Sequence, residues 1–217
     1  NAKIFIMNST AQKNELLFEY SGGNLGEAKS LFVSMYLFLN SVAAKKSHIF
    51  DNILASNLNR LTDVAPKNLS YKDCINSSSK AAAIDKPNQN INPVTKLLGD
   101  LSHIKWKPVY KGFKEFVLPV KDNDTVKLIS MDPGTSVPLH SHNGKEYILV
   151  LDGSFCDEYG EYKKGDMQIN DQMIKHNPVA CDKEGCICLT ITENDVVFFG
   201  KFGSLLNLFT FIKSFFK

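Results

Sequence analysis

Two histidines one residue apart, with a glutamate four residues after the second and a glycine on either side, constrain this chain more than any other feature. Between Gly134 and Gly153 the run carries His140, His142 and Glu146. Side chains alternate along a strand, so His140 and His142 on an extended segment face the same way. Asn143-Gly144 is a turn signal, and a reversal there brings Glu146 back to that face at the head of a second strand. The expectation is a hairpin presenting three ligands. Imidazole with carboxylate suits one divalent transition metal: zinc first, with iron, manganese or nickel as alternatives. Three ligands from a hairpin leave such an ion under-coordinated, and His176 in Met173-Ile-Lys-His-Asn-Pro178 is the natural fourth. The plainer reading is two exposed strand-end histidines. The glutamate offset, the paired glycines and the downstream histidine together weigh against it.

From Trp106 onward the pattern is one of short strands, Phe113 to Leu118, Val126 to Met131, Glu146 to Leu151 and Cys186 to Ile191, separated by Gly, Pro, Asp and Asn turns. The first third reads differently. Glu15 to Tyr20 forms a short helix that stops at Gly22-Gly23. Asn24 then caps a second helix, with Glu27 completing a capping box. From Leu31 to Leu39 only Ser34 is not strongly apolar or aromatic, so this helix needs cover on several sides. The neighbouring segments Ile49 to Leu54 and Leu58 to Leu61 cover only part of it. Leu31, Phe32, Met35, Tyr36, Phe38 and Leu39 are therefore the expected partner interface, against the plainer reading of a bundle centre.

The organisation expected is a helical domain over residues 1–63, a polar linker with a short helix over 64–98, a barrel over 99–199 and an amphipathic helix over 200–217. That last helix is too short to span a membrane. Net charge is +2, which argues against a nucleic-acid surface. The N-terminus has no secretory pattern, and the five cysteines form no Cys-x-x-Cys pair, so a reducing cytoplasm is the expected compartment.

The spacing Gly-x5-His-x-His-x3-Glu-x6-Gly from Gly134 to Gly153 resembles the first motif of the cupin superfamily. The resemblance implies a small antiparallel jelly-roll barrel, and hence a mainly β chain preceded by helices. The second cupin motif is less faithful, with Asp171-Gln172-Met173 where Pro-x-Gly is usual. Over its whole length the chain resembles ChrR-type anti-sigma factors. The match is carried by Leu-Asp-Gly-Ser-Phe at 151–155, Tyr162-x-x-Gly-Asp166, His176-x-Pro178, Gly185-Cys-x-Cys-Leu189 and, more loosely, Leu16-Leu-Phe-Glu-Tyr-Ser-Gly-Gly23.

The resemblance implies a helical domain that occludes an extracytoplasmic-function sigma factor, and a metal-bearing cupin needed for release under oxidative stress. It also leaves open a homodimer through the cupin. Family members hold zinc in the helical domain through His-x3-Cys-x2-Cys and an upstream His. Here those positions correspond to Tyr36, Asn40, Ala43 and Ala11, so no zinc is expected there. Oxidation of the metal, a ligand or a neighbour would then alter packing between cupin and helices. Cys186, Cys188 and Tyr162 are candidates for that redox or supporting role, although buried barrel-wall residues are the plainer reading of the cysteines.

A sensor without catalysis is the preferred reading. The rival is a cupin metalloenzyme such as a dioxygenase, with Tyr147, Tyr159 and Tyr162 as acid/base candidates. The single arginine, Arg60, lies in the helical part, which leaves an anionic substrate without an evident anchor. A small-molecule-binding sensor that engages no sigma factor is the third reading.

Overall fold

The computed structural model describes residues 2–58, 103–181, 183–200, 203 and 207. Three helices come first: α1 (Ala2–Ser21), α2 (Glu27–Leu39) and α3 (Ser41–Leu58). The helix expected at Glu15 is only the last part of α1, because nothing between Ala2 and Ser21 is Gly or Pro to interrupt it. It ends where expected. Gly23 has φ +69°, and the N–H groups of Gly23 and Asn24 turn back to the Tyr20 and Glu19 carbonyls, both at 3.0 Å. This double capture requires a left-handed residue just past the helix.

The start of α2 corrects the sequence reading. Asn24 does not cap it; the N-cap is Gly26, which has no side chain to offer. The loop at 119–124 supplies the missing acceptor. Asp122 Oδ2 accepts the Ala28 N–H at 2.8 Å, and the Glu27 carboxylate accepts the Lys121 N–H at 2.7 Å. A cap donated from 94 residues away leaves no local trace in sequence. Asp122→Ala should lower the unfolding free energy by about 1 kcal/mol, and Asp122→Asn by much less, as read by denaturant titration.

Ten strands follow among the described residues: β1 (Lys107–Tyr110), β2 (Phe113–Leu118), β3 (Thr125–Met131), β4 (His140–His142), β5 (Glu146–Asp157), β6 (Gly160–Lys163), β7 (Met167–Asn170), β8 (Val179–Ala180), β9 (Cys186–Thr192) and β10 (Val196–Phe198). The main antiparallel sheet runs β1-β2-β3-β9-β5-β6, with β7 and β8 also paired to β5, while β4 and β10 form a second, two-stranded sheet. Long β5 turns the corner of the barrel. Its first half pairs β7 and its last residues pair β6 and β8, with a register shift between Val150 and Asp152. Gly153 follows at φ +69°, packed on the Gly185 backbone.

Alternation along these strands splits the core in two. Phe113, Met131, Ile148, Val150, Phe155, Ala180, Cys186 and Cys188 form one cluster. The intervening residues, among them Val126, Leu128, Tyr147, Leu149, Leu151, Ile169, Leu189 and Ile191, form another together with Leu16, Leu17, Phe32, Val33, Met35 and Tyr36 from the helices. The helices thus cover one face of the sheet. Both faces of β5 are consequently buried from Glu146 to Leu151, and that stretch reads as a near-continuous apolar run without alternation.

This packing overturns the expected exposed patch on α2. Phe32, Met35 and Tyr36 are buried in the core shared with the barrel, Leu31 and Leu39 are half-buried, and only Phe38 stands exposed. Phe32 meets the Tyr147 ring edge-on at 6.0 Å. The cover expected from within the helical segment comes instead from the barrel wall. Asn40 is structural: it terminates α2 through its N–H to Tyr36, and its Oδ1 accepts the Ala43 N–H at 3.0 Å to start α3.

The expected linker over 64–98, its short helices and Arg60 lie outside the described residues. Of the expected C-terminal helix over 200–217 only Gly200, Gly203 and Asn207 are described, and Gly200 has φ +88°. The Asn207 amide pairs with both the N–H and the carbonyl of Phe198, at 2.7 and 3.0 Å. No helix among the described residues is long and apolar enough to cross a membrane.

Candidate metal centre

His140 and His142 lie on β4, but β4 and β5 do not form the expected hairpin. His140 to His142 pair with Val196 to Phe198, and the chain crosses at Asn143–Lys145 from that small sheet into the main one. The crossing is held by Asn143 N–H to the Asp195 carbonyl at 3.1 Å and by Glu193 N–H to the Lys145 carbonyl at 3.1 Å. Glu146 then enters β5 opposite Thr192 and Asn170. His176 arrives from the other side, its backbone exchanging two hydrogen bonds with His140 at 3.0 and 3.1 Å. Where the usual motif has Pro-x-Gly, Asp171 Oδ1 accepts the Met173 N–H at 2.9 Å, so an aspartate-built turn delivers His176 instead.

The four side chains are all buried, and their ligand atoms lie within 4.8 Å of one another. Hydrogen bonds fix which nitrogens face inward. His140 Nδ1 sits 2.9 Å from the Pro138 carbonyl and His176 Nδ1 3.1 Å from Asp157 Oδ2, so each Nδ1 carries the proton as donor. With both Nδ1 atoms protonated, the two Nε2 atoms face each other across 3.0 Å, and a state with both rings neutral would set lone pair against lone pair. That approach is repulsive unless a proton or a cation lies between them. Glu146 Oε2 is 3.0 Å from His142 Nε2 and 3.3 Å from His176 Nε2. Neither ring nitrogen of His142 has an aligned hydrogen-bond partner, although its side chain is almost wholly buried. Orphaned imidazole nitrogens and a carboxylate in a dry interior cost several kcal/mol or more without a counter-charge. A divalent cation would satisfy them together, so this donor set fits a metal.

Electrostatics follow the same geometry. Burial lowers the His140 imidazole to about 4, which keeps its ring neutral. Burial pulls His176 down as well, but hydrogen bonds to Asp157 and Glu146 outweigh it and leave that imidazole raised to about 9. Burial alone would raise Glu146; its contacts with His142 and His176 hold it well below the ordinary carboxylate range.

Sequence reasoning missed the residues around these four. Asp157, whose side chain is fully buried, orients His176 and also accepts from Gln168 Nε2 at 2.7 Å. Gln168 Nε2 further donates to the Tyr162 hydroxyl at 3.0 Å, which places Tyr162 three hydrogen bonds from His176, through Gln168 and Asp157. Asn170 Nδ2 donates to Glu146 Oε2 at 3.1 Å. Gln168 and Asn170, polar at alternate positions of a strand buried on both faces, were the available signal. Asp157 has none, since Cys-Asp-Glu-Tyr-Gly reads as a turn. Cys186 and Cys188 lie on the same face of β9 with their sulfurs 3.3 Å apart, both buried within the barrel cluster.

A jelly-roll wall enclosing His-x-His, Glu and a distant His defines the cupin class of β-barrel. Residues 94–194 match the family described as the ChrR Cupin-like domain. Anti-sigma-E factor ChrR of Cereibacter sphaeroides is 30% identical over 184 residues, covering 82% of this chain and 86% of that protein. The crystal structure of Rhodobacter sphaeroides SigE in complex with the anti-sigma ChrR matches with a TM-score of 0.68 and 31% identity, over 82% of this chain and 96% of that one. The chain belongs to the ChrR family.

Proposed function

We propose that this chain is a cytoplasmic anti-sigma factor that sequesters an extracytoplasmic-function sigma factor through its helices and releases it under oxidative stress, without catalysing a reaction. The observation that supports this most is a likeness that spans helices and barrel together, to a structure of ChrR bound to a sigma factor. His140, His142, Glu146 and His176 hold one divalent ion in this reading, zinc by preference, and no zinc sits in the helical segment. Cys186, Cys188 and Tyr162 stand as candidates for transmitting oxidation.

The docking surface on the helices moves from α2 to α3. Val42, Ile49 and Ile53 are all exposed, and at i, i+7 and i+11 they form one stripe along α3, with Phe38 exposed just before it. Ala43 and Ser47 on the other face are buried. An apolar stripe left open on a folded helix suits a protein partner. Co-expression with a sigma factor of this class, followed by tagged capture, tests the function: a one-to-one complex is expected. The double variant Val42→Asp, Ile49→Asp should lose capture while keeping the wild-type melting temperature within about 2 °C, since surface substitutions rarely cost more than about 0.5 kcal/mol. Absence of any complex with the wild-type chain would refute the reading.

Within the metal site the sharpest supporting role falls to Asp157. Asp157→Asn keeps the shape but removes the carboxylate that aligns and charges the His176 ring, and should weaken metal affinity about 10- to 100-fold in a chelator competition.

A further inference from the structure

We infer that Glu193 and Lys29 form a relay that couples the metal ligand Glu146 to helix α2, so that occupancy of the barrel and docking of the helices are energetically linked. The inference rests on the proposal that the barrel binds a metal. Glu193 follows β9 directly and is built into the crossing that delivers Glu146. Its Oε2 accepts the Lys145 N–H at 3.0 Å, and its own N–H donates to the Lys145 carbonyl at 3.1 Å. Its other oxygen, Oε1, accepts the Tyr147 hydroxyl at 3.3 Å. One carboxylate therefore grips the residues on both sides of Glu146.

The same Oε1 is paired to Lys29 Nζ at 2.7 Å, the shorter of two ion pairs that Lys29 makes with the barrel. Lys29 lies in the first turn of α2 and also sits over the Tyr147 ring, 5.4 Å from its centre. Tyr147 in turn packs its ring edge against Phe32, one turn further along α2. Polar and apolar contacts thus join α2 to both flanks of the ligand, while Lys29 touches no ligand atom itself. Burial would raise the Glu193 carboxyl, but the Lys29 and Lys145 hydrogen bonds keep it lowered and ionised, as a charged link requires.

A displacement of α2 by a partner would pull on Glu193 and shift the backbone that sets Glu146. By reciprocity, filling or emptying the barrel would bias how α2 sits. The sign of the effect separates this relay from simple charge. Removing a lysine near a cation site should, by Coulomb's law, tighten metal binding. The relay demands the opposite.

The test measures zinc affinity of the full chain by chelator competition for wild type, Lys29→Met, Glu193→Gln and the double variant, with Lys164→Met as control. Lys164 pairs Asp152 on the exposed surface, six residues along β5 from Glu146. Lys29→Met should weaken binding roughly 5- to 20-fold, the size of a typical coupling between sites. The double variant should bind no worse than Glu193→Gln alone, and Lys164→Met should bind as wild type does. Wild-type affinity or tighter in Lys29→Met overturns the relay, as does full multiplication of the two single effects. Should Glu193→Gln fail to fold, Lys29→Met against wild type still decides. A wild-type chain that binds no zinc at all would instead sink the metal reading on which the relay depends.

Discussion

His176→Ala should abolish metal binding, and with it any difference in melting temperature between metal-loaded and chelator-treated protein. In the wild-type chain that difference should be large. A ligand present at about a thousandfold above its Kd adds about 4 kcal/mol to the folded state, roughly 10 °C for a chain of this size. The physical basis is the collision of like groups in the barrel. Two imidazole nitrogens meet at 3.0 Å with their other nitrogens engaged as donors, and neither nitrogen of the buried His142 ring has an aligned hydrogen-bond partner. Removing the ion leaves these groups to be neutralised by protons alone. Removing His176 removes a ligand and leaves Asp157 buried without the ring it was charging. The variant should therefore melt below chelated wild type as well. Differential scanning calorimetry with and without chelator reads both effects, and a chelator shift that survives in His176→Ala would place the ion elsewhere.

Gly153→Val should prevent the barrel from forming. The position combines φ +69° with a Cβ that would run into the Gly185 carbonyl, and Gly185 itself is held at φ +71° against the Met131 carbonyl. Left-handed backbone alone costs a side-chain-bearing residue about 1–2 kcal/mol. Here the obstruction is backbone just before β9, which has no rotamer to give way, and the Ser154 N–H donates to that same Gly185 carbonyl at 3.2 Å. The combined penalty should exceed about 4 kcal/mol, a size reserved for strain or overpacking at a fixed site. Far-ultraviolet circular dichroism and expression as inclusion bodies are the readouts. Gly160→Ala is the matched control, since its added Cβ would meet only the Tyr162 hydroxyl at 4.0 Å and its φ is not positive. A soluble, cooperatively melting Gly153→Val would show that the close pairing of the two glycines is not needed.

The cupin barrel and its four clustered side chains were legible in sequence because the information is local. His140, His142 and Glu146 are fixed by short spacings, and His176 stands out among only five histidines. The path between them was not legible. Asn143-Gly144 marks a reversal, but whether the two flanks pair with each other depends on β10, which pairs Val196 to His142 and Phe198 to His140 across a long stretch of sequence. Asp122 capping α2, and Asp157 orienting His176, are likewise contacts between remote segments that leave no pattern in either one. The placement of α2 failed for a related reason. An apolar helix announces that it must be covered without saying by what, and the outer wall of the barrel covers Phe32, Met35 and Tyr36. Val42, Ile49 and Ile53 stay exposed on α3, whereas in sequence Ile49 and Ile53 read only as part of a segment covering α2.

The most direct check on the whole account is the metal content of the purified chain, set beside that of a His140→Ala, His176→Ala double variant, by plasma mass spectrometry after gel filtration. One equivalent of a divalent transition metal per chain, retained by the native protein and lost from the variant, is the outcome required. A chain that carries no ion even after incubation with zinc, iron, manganese and nickel, or a variant that carries as much as the native protein, would contradict it.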